Sequence, residues 1–220
     1  MIIGITGGIG SGKSVISKEL RRMGYPVYDT DKEAKRLILE DTQVRQQIMA
    51  LFGPEAYKDG VYQTAFVAEK VFADTSLLAQ LNAIVHPSVK QDILKKFRSS
   101  GVQEFRSEPL NSNSATSEPS EPLNSPLGDL LFLECAILFT AHLDDICDKV
   151  VAITAPEAIR LERTIARDHS DIDKVRARMR AQRVEQDVER ADIIINNDGS
   201  TPVPTLCKEL LELATKIEHL

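Results

Sequence analysis

The chain has 220 residues, of which 42% are hydrophobic and 27% charged, and its formal net charge is −6 at pH 7. This composition is ordinary for a soluble globular protein, and the acidic balance argues against a general nucleic-acid-binding role. The sequence lacks an apolar run of about 18 residues and a signal-like start, so we expect a cytoplasmic protein without membrane contact. Its three cysteines are widely spaced, which favours reduced, buried thiols over a disulfide frame.

The first part of the chain begins with short apolar runs and continues with helical patterns. Met1–Thr6 and Pro26–Tyr28 are predicted strands, and Lys13–Met23 is a predicted helix that stops at Gly24. A series of segments with helical periodicity follows: Asp31–Glu40, Thr42–Leu51, Thr64–Phe72, Ser76–Val85 and Pro87–Ser99. Because the second predicted strand is followed by helices and not at once by another strand, we interpret residues 31–100 as an inserted helical region or a substrate-binding subdomain.

Residues 106–128 differ in composition from the rest of the chain. The segment contains SEPLNS twice, at 107–112 and at 120–125, and almost no large apolar side chains. Pro, Ser, Glu and Asn cannot bury enough surface to offset the entropy lost on ordering. We expect a flexible inserted loop, with a phospho-acceptor or partner motif as the alternative.

Strands and helices alternate again after this loop. The predicted strands are Asp129–Glu134, Lys149–Thr154 and Ala191–Ile195. The predicted helices are Pro156–Arg167, Asp173–Glu185 and Pro204–His219. Short apolar strands that alternate with helices predict a mostly parallel sheet covered on both faces, and therefore an α/β fold.

The segment GGIGSGKS matches the pattern G-x-x-x-x-G-K-[ST] at Gly7, Gly12, Lys13 and Ser14. It follows a predicted strand and precedes a predicted helix, which is the context that supports a phosphate-binding loop. Phosphate oxygens can lie against backbone N–H groups where no Cβ intervenes, and a helix N-terminus adds partial positive charge. Lys13 would reach the outer phosphates and Ser14 would ligate Mg²⁺. The motif predicts an NTP-binding enzyme with a P-loop NTPase-type three-layer sandwich.

Asp29 and Asp31 directly follow the second predicted strand. In doubly wound folds this edge of the sheet borders the phosphate site, so a carboxylate here could accept the proton of an attacking hydroxyl. The alternative is structural, because Thr30-x-x-Glu33 forms a capping box and an acid suits the first helical turn. The spacing alone leaves both interpretations open.

Several motifs occur in a fixed order: ITGGIGSGKS, VYDTD, LFG with a later DG, VFADTSLLAQLNAIVHPSV, RMRAQ and ADIIINNDGS. In this order the chain resembles the dephospho-coenzyme A kinase family, from Ile2 to about Leu213 with a break at Arg106–Gly128. GGIGSGKS is shared with many P-loop proteins. The LN-x-x-x-HP segment at Leu81–Pro87 and the closing AD-x-x-I-x-N are much more specific.

The resemblance implies transfer of the γ-phosphoryl group of ATP to the ribose 3′-hydroxyl of dephospho-CoA, with Mg²⁺ as cofactor and no nucleic acid or membrane as partner. Asp31 would be the catalytic base and contact the substrate, whereas Asp29 would be supporting. His86 would line the substrate pocket, the alternative being a helix boundary before Pro87. A helical lid would span about 161–185, and the core would comprise 1–30, 129–160 and 186–220.

The resemblance also implies which residues hold ATP. Arg163 would neutralise charge on the transferring group and Arg167 would contact the phosphates, the alternative being a solvated helix surface. The implied ATP-binding residues are Gly8, Gly10, Ser11, Gly12, Lys13, Ser14, Val15, Arg167 and Asn197. Arg178 and Gln182 match the far side of the lid, and Asn197 with Gly199 matches positions near adenine.

The chain departs from the family pattern in several places. Ala136 and Thr140 stand where the family carries a proline and an acid, and no arginine lies near Thr64. Glu134 replaces an aspartate at a strand end where P-loop folds often bind Mg²⁺ through water. We expect these departures to affect contacts to the acceptor and not to ATP. A P-loop kinase with another acceptor is one alternative, and a P-loop switch or assembly ATPase is another, although the base-reading N-K-x-D element of a switch is missing.

Overall fold

The computed structural model describes residues 1–100, 130–182 and 184–216. The chain divides into two compact units, one formed by Met1–Tyr28 with Ser100–Leu220 and the other by Asp29–Ser99. The predicted low-complexity loop at 106–128, including both copies of SEPLNS, lies outside the described residues. None of the described helices is long and apolar enough to cross a membrane.

The secondary structure follows the predicted alternation closely. The strands are β1 (Ile2–Thr6), β2 (Val27–Asp29), β3 (Tyr57–Lys58), β4 (Val61–Tyr62), β5 (Leu131–Glu134), β6 (Lys149–Thr154) and β7 (Ile193–Asn196). The helices are α1 (Lys13–Arg22), α2 (Thr30–Glu40), α3 (Thr42–Phe52), α4 (Thr64–Ala73), α5 (Thr75–Ser100), α6 (Glu157–Asp168), α7 (Ile172–Ala181), α8 (Val184–Glu189) and α9 (Val203–Lys216).

The first unit is built on a five-stranded sheet with the order β2-β5-β1-β6-β7. The central strand β1 runs parallel to β5 and β6, and β6 runs parallel to β7. Every residue of β1 and β5 is buried, as expected for strands covered on both faces. The sheet packs with α1 and α9 in one apolar cluster that includes Ile3, Ile16, Leu20, Phe132, Leu206 and Leu210. The predicted α/β class is confirmed.

Helix α1 ends at the predicted glycine for a backbone reason. Gly24 has φ +89°, which an L side chain rarely adopts. Its N–H donates to the carbonyl of Arg21 at 3.0 Å, and the N–H of Tyr25 donates to the carbonyl of Leu20 at 3.0 Å. These two bonds form a Schellman motif, which satisfies carbonyls that the helix end leaves open.

The second unit consists of α2 to α5 and a short hairpin. Its apolar cluster contains Val44, Ile48, Phe52, Ala56, Tyr57 and Val67. The hairpin of β3 and β4 was not predicted, because strands of two residues show no periodicity. A sequence signal was present nonetheless, since Asp59 and Gly60 both have positive φ in the turn and Asp-Gly favours tight hairpins.

Ion pairs connect α2 to α5 within this unit. Arg36 bonds to Glu33 at 2.7 Å and to Asp92 at 2.9 Å, and Lys96 bonds to Glu33 at 2.8 Å. Burial alone would raise the pKa of Glu33, but the hydrogen bonds from Lys96 and Arg36 outweigh burial and hold its pKa below the usual value. Glu33 is therefore a buried carboxylate that helps to hold two helices together.

The prediction of separate helices on either side of the His86–Pro87 boundary is wrong. Helix α5 is continuous over 26 residues, with Pro87 inside it. Val85 before the proline and Val89 and Ile93 after it are all buried. These three residues are spaced four apart and therefore lie on one face of a helix. Their burial favours a single helix, although proline has no N–H to donate to the helical hydrogen bonds.

The prediction of a continuous helix over Asp173–Glu185 is also wrong. Helix α7 ends at Ala181, and Gln182 has extended backbone angles of φ −87° and ψ 136°. Helix α8 then begins at Val184. Gln182 lies at this interruption, directly after the last residue of α7.

Candidate active site

The predicted phosphate loop connects the buried strand β1 to helix α1. Gly12 has the left-handed conformation at the N-cap of α1, and no side chain of the described residues caps this helix end. The first turn of α1 contains no acidic residue. The positive end of the helix dipole is therefore available to an anion.

Two glycines of the loop also make room for other parts of the protein. A Cβ at Gly10, which has φ +77°, would overlap the backbone carbonyl oxygen of Arg160 and lie 2.7 Å from Oγ1 of Thr164. A Cβ at Gly12, with φ +95°, would overlap Nδ2 of Asn197. Sequence analysis assigned these glycines to the approach of phosphate. They also allow α6 and the end of β7 to lie directly against the loop.

Some backbone amides of the loop donate to carbonyls within it, and others do not. The N–H of Ser11 donates to the carbonyl of Gly8 at 3.1 Å, and the N–H of Val15 donates to the carbonyl of Gly12 at 3.0 Å. By contrast, the amides of Gly10, Gly12 and Ser14 have no protein acceptor within the described ranges. These three amides supply N–H donors that phosphate oxygens can accept from.

Lys13 and Ser14 lie at the start of α1, as the motif predicts. Nζ of Lys13 donates to the carbonyls of Gly7 at 2.6 Å and Gly8 at 3.2 Å. Oγ of Ser14 donates to Oε1 of Glu134 at 2.9 Å. The structure thus places a cation and a hydroxyl–carboxylate pair at the loop, with Glu134 buried at the end of β5.

The pair of Ser14 and Glu134 provides the oxygen ligands that a hard cation such as Mg²⁺ prefers. Among the residues that the structure describes, no group of three or more His, Cys, Asp or Glu side chains could hold a metal ion. These two side chains fit a Mg²⁺ that is bound by few protein ligands and completes its shell with phosphate oxygens and water, as is usual for this ion.

Arg163 and Asn197 form a hydrogen-bonded chain that ends at the loop. Nη1 of Arg163 donates to the backbone carbonyl of Asn197 at 2.9 Å. Nδ2 of Asn197 donates to the carbonyl of Ser11 at 2.9 Å, and Asn197 is only 5% exposed. The side chain of Asn197 therefore braces the loop. The predicted contact of Asn197 with ATP remains a prediction.

Arg167 and Arg178 both bond to Asp168, at the end of α6. Nε of Arg167 lies 2.6 Å from Oδ1 of Asp168, and Nη1 of Arg178 lies 3.0 Å from Oδ2. The hydrogen bond from Arg167, and to a lesser extent the one from Arg178, lowers the pKa of Asp168 to about 2. The bond from Arg178 thus ties α7 to α6, whereas Arg167, whose side chain is 61% exposed, bonds to its own neighbour on α6. The predicted phosphate contact of Arg167 stays a prediction.

Two features of the loop's surroundings were missed from the sequence. Oε1 of Gln182 accepts the backbone N–H of Ile9 at 2.7 Å, whereas the sequence indicated only that Gln182 matches the far side of the lid. Nε and Nη1 of Arg160 are buried and have no hydrogen-bond partner among the described residues. The signal for Gln182 was the RMRAQ motif, but its partner lies 173 residues earlier in the chain.

The second unit carries the other predicted site residues. Asp29 caps α2, since its carboxylate accepts the N–H of Lys32 at 3.0 Å. The structural alternative is confirmed for Asp29, although the N-cap is Asp29 and not Thr30, which already belongs to the helix. The carboxylate of Asp31 is exposed in the first turn and makes no hydrogen bond or ion pair in the described part of its own unit. His86 is half-buried within α5.

Solved structures share this architecture. A Thermus thermophilus protein matches with a TM-score of 0.71 and 31% identity, covering 100% of this chain and 98% of that one. The dephospho-CoA kinase of Campylobacter jejuni matches with a TM-score of 0.65 at 20% identity, covering 99% and 98%, and shares the fold. The shikimate kinase of Aquifex aeolicus also shares it, with a TM-score of 0.51 at 17% identity and full coverage of both chains. The fold and the loop together define a P-loop kinase.

A family model described as dephospho-CoA kinase matches residues 1–110 and 117–202. The chain belongs to the dephospho-CoA kinase family, as its order of motifs predicted, and is an ATP-dependent kinase. The dephospho-CoA kinase of Porphyromonas gingivalis is 36% identical over 217 residues, which cover 97% of this chain and 95% of that protein. The dephospho-CoA kinase of Bacteroides fragilis is 34% identical over 220 residues, covering 99% and 95%.

Proposed function

We propose that this protein transfers the γ-phosphoryl group of ATP to the 3′-hydroxyl of dephospho-CoA, giving ADP and coenzyme A. One observation carries the ATP half of the proposal: beside Lys13 and Ser14, a helix N-terminus adjoins loop amides that have no acceptor among the described residues. Family membership over nearly the whole chain supports the acceptor half. The bond that forms joins the ribose oxygen to the γ-phosphorus, and the bond that breaks joins this phosphorus to the oxygen that leaves with ADP.

On the ATP side, the loop binds the phosphates and neutralises their charge. The amides of Gly10, Gly12 and Ser14 donate to phosphate oxygens. Lys13 exchanges the carbonyls of Gly7 and Gly8 for phosphate oxygens, since a full negative charge attracts an ammonium more strongly than a carbonyl dipole does. Arg163 stabilises the charge that spreads over the transferring group.

A magnesium ion is the proposed cofactor. Ser14 and Glu134 would hold it, directly or through water, because their oxygens already lie 2.9 Å apart at the loop. When bound, Mg²⁺ neutralises phosphate charge during the transfer. Before the ion arrives, the hydrogen bond between these two side chains holds both of them in place.

Asp31 is the proposed general base. Its carboxylate is exposed and is not engaged in the described part of its own unit, so it is available to take the proton of the attacking hydroxyl. Asp29 supports it by starting the helix that carries it. His86 is the proposed substrate contact in the same unit. We place the reaction in the cytoplasm, in keeping with three free cysteines in the described chain.

A steady-state assay of ADP release tests this function. The protein is supplied with ATP, Mg²⁺ and dephospho-CoA, and in parallel with adenosine, AMP or pantothenate as the acceptor. We expect ADP release only with dephospho-CoA, together with coenzyme A detected by mass spectrometry. Turnover with another acceptor alone would show that the departures at Thr64, Ala136 and Thr140 have changed the substrate, and would refute the proposed acceptor.

A further inference from the structure

The contact between Gln182 and the phosphate loop is not explained by the proposed function. Ile9 lies between Gly8 and Gly10, and its N–H donates to Oε1 of Gln182 at 2.7 Å. Of the amides of residues 8–12, only that of Ile9 donates to a side chain among the described residues. Neither the P-loop motif nor the proposed catalytic roles account for this bond.

Gln182 is well placed to fix the loop, because its own helix is anchored along its length. Asp171 caps the start of α7 by accepting the N–H groups of Asp173 and Lys174. Val175 and Met179 are buried, and the N–H of Gln182 donates to the carbonyl of Met179 at 3.2 Å. The backbone of Gln182 is therefore held at the end of a packed helix, and the bond from its side chain holds Ile9 relative to that helix.

The other loop amides show why a fixed conformation of the loop matters for phosphate binding. Ser11 donates to a carbonyl inside the loop, and Gly10, Gly12 and Ser14 donate to no described residue. A loop of four glycines and two serines samples many backbone conformations, and only some of them present those amides together. The apparent affinity of a ligand falls by the fraction of the protein that holds the binding-competent conformation.

We propose that Gln182 is a positioning residue for ATP: its side-chain oxygen engages the Ile9 amide and keeps the phosphate loop in the conformation that binds the triphosphate. This inference rests on the proposed function insofar as ATP is the ligand of the loop. It also connects α7 to nucleotide binding, because α7 is joined to α6 by the bond between Arg178 and Asp168.

The central test replaces Gln182 by methionine, which keeps the length of the side chain and removes the acceptor. We expect the dissociation constant and the KM for ATP to rise about two- to tenfold, as loss of one neutral hydrogen bond predicts. The kcat at saturating ATP and the KM for dephospho-CoA should stay within about twofold, because the bond acts before chemistry. Ala177→Met, at an exposed position of α7, is the matched control and should change none of these values.

Amide hydrogen exchange gives a second readout that needs no turnover. In the ATP-free protein, the Ile9 amide should exchange faster in Gln182→Met than in the native chain and in Ala177→Met. Gln182→Glu, which keeps an acceptor oxygen, should restore slow exchange. ATP binding is measured by calorimetry without acceptor. Neither the exchange rate nor the dissociation constant for ATP therefore depends on whether dephospho-CoA is the acceptor. Faster exchange with an unaltered dissociation constant for ATP, or no change in exchange, would overturn the inference.

Discussion

The phosphate loop and the start of α2 carry the key residues of the two units, and these residues differ in how their side chains are bonded. Around the loop, Lys13, Ser14 and Asn197 are each engaged by a partner in their own unit. In the second unit the carboxylate of Glu33 is engaged in ion pairs, whereas that of Asp31 is exposed and makes no bond in the described part of that unit.

This difference fits the two tasks in phosphoryl transfer. Binding a triphosphate depends on donors held in place before the ligand arrives, since reorganising them would cost binding energy. A general base must instead have an accessible lone pair, and a strong ion pair would lower its basicity. The unit with the loop is built for the first task, and the exposed Asp31 suits the second.

Replacing Lys13 by alanine should have the largest effect. We expect kcat for ADP release to fall about 10³-fold, because a charge that stabilises the transferring group is lost. Lys18→Ala, at an exposed position on the same helix, is the control and should stay within about twofold. A kcat for Lys13→Ala close to that of the native chain would contradict the assignment of the loop.

Alanine at Gly10 should destabilise the protein more than alanine at Gly60. The two glycines have similar φ angles, +77° and +80°, so alanine at either position must adopt the same disfavoured φ. A Cβ at Gly60 meets no atom within 4 Å, whereas at Gly10 it overlaps α6. We expect losses of about 1 kcal/mol for Gly60→Ala and about 2–4 kcal/mol for Gly10→Ala in urea unfolding. Equal losses would show that the loop is not packed tightly against α6.

The Glu33 ion pairs should give the second unit a pH-dependent stability. The pKa of Glu33 is lowered in the folded state, so its contribution is complete above its ordinary value of 4.5 and is lost as the pH falls through the lowered pKa. Glu33→Gln should lower the free energy of unfolding by about 1–2 kcal/mol at pH 7, and this difference should shrink at acidic pH.

Glu40→Gln is the matched control for this experiment. Glu40 lies on the same helix, is 65% exposed and contacts Arg36 at 3.5 Å, so its loss should have little effect at either pH. A Glu33→Gln effect that is the same at pH 7 and at acidic pH would mean that packing, and not charge, holds α2 to α5.

Deleting residues 107–125 should have the smallest effect. Shortening a long connection changes its closure entropy only slightly, so we expect kcat and KM to stay within about twofold. The family model supports this expectation, because its match omits residues 111–116 of this segment. A large drop in melting temperature on deletion would show that the repeat contributes to the packed core.

Much of the fold and part of the site could be predicted because their signals are local. GGIGSGKS specifies strand, loop and helix within consecutive residues, and Gly24 marks a helix end. The braces of the loop could not be predicted in this way, since Gln182 and Asn197 meet it from 173 and 186 residues away. The continuity of α5 was missed for a related reason: burial of Val85 and Val89 overrides the local rule for proline.

The most direct test of the account compares Asp31→Asn with Asp29→Asn. Asparagine caps helices about as well as aspartate, so Asp29→Asn should retain stability and near-native turnover. Asp31→Asn should lower kcat about 100-fold, because the amide cannot accept the hydroxyl proton, while calorimetry shows an ATP dissociation constant within about twofold of the native value. An unchanged kcat for Asp31→Asn, or a parallel loss of ATP binding, would contradict the assignment of the base to Asp31.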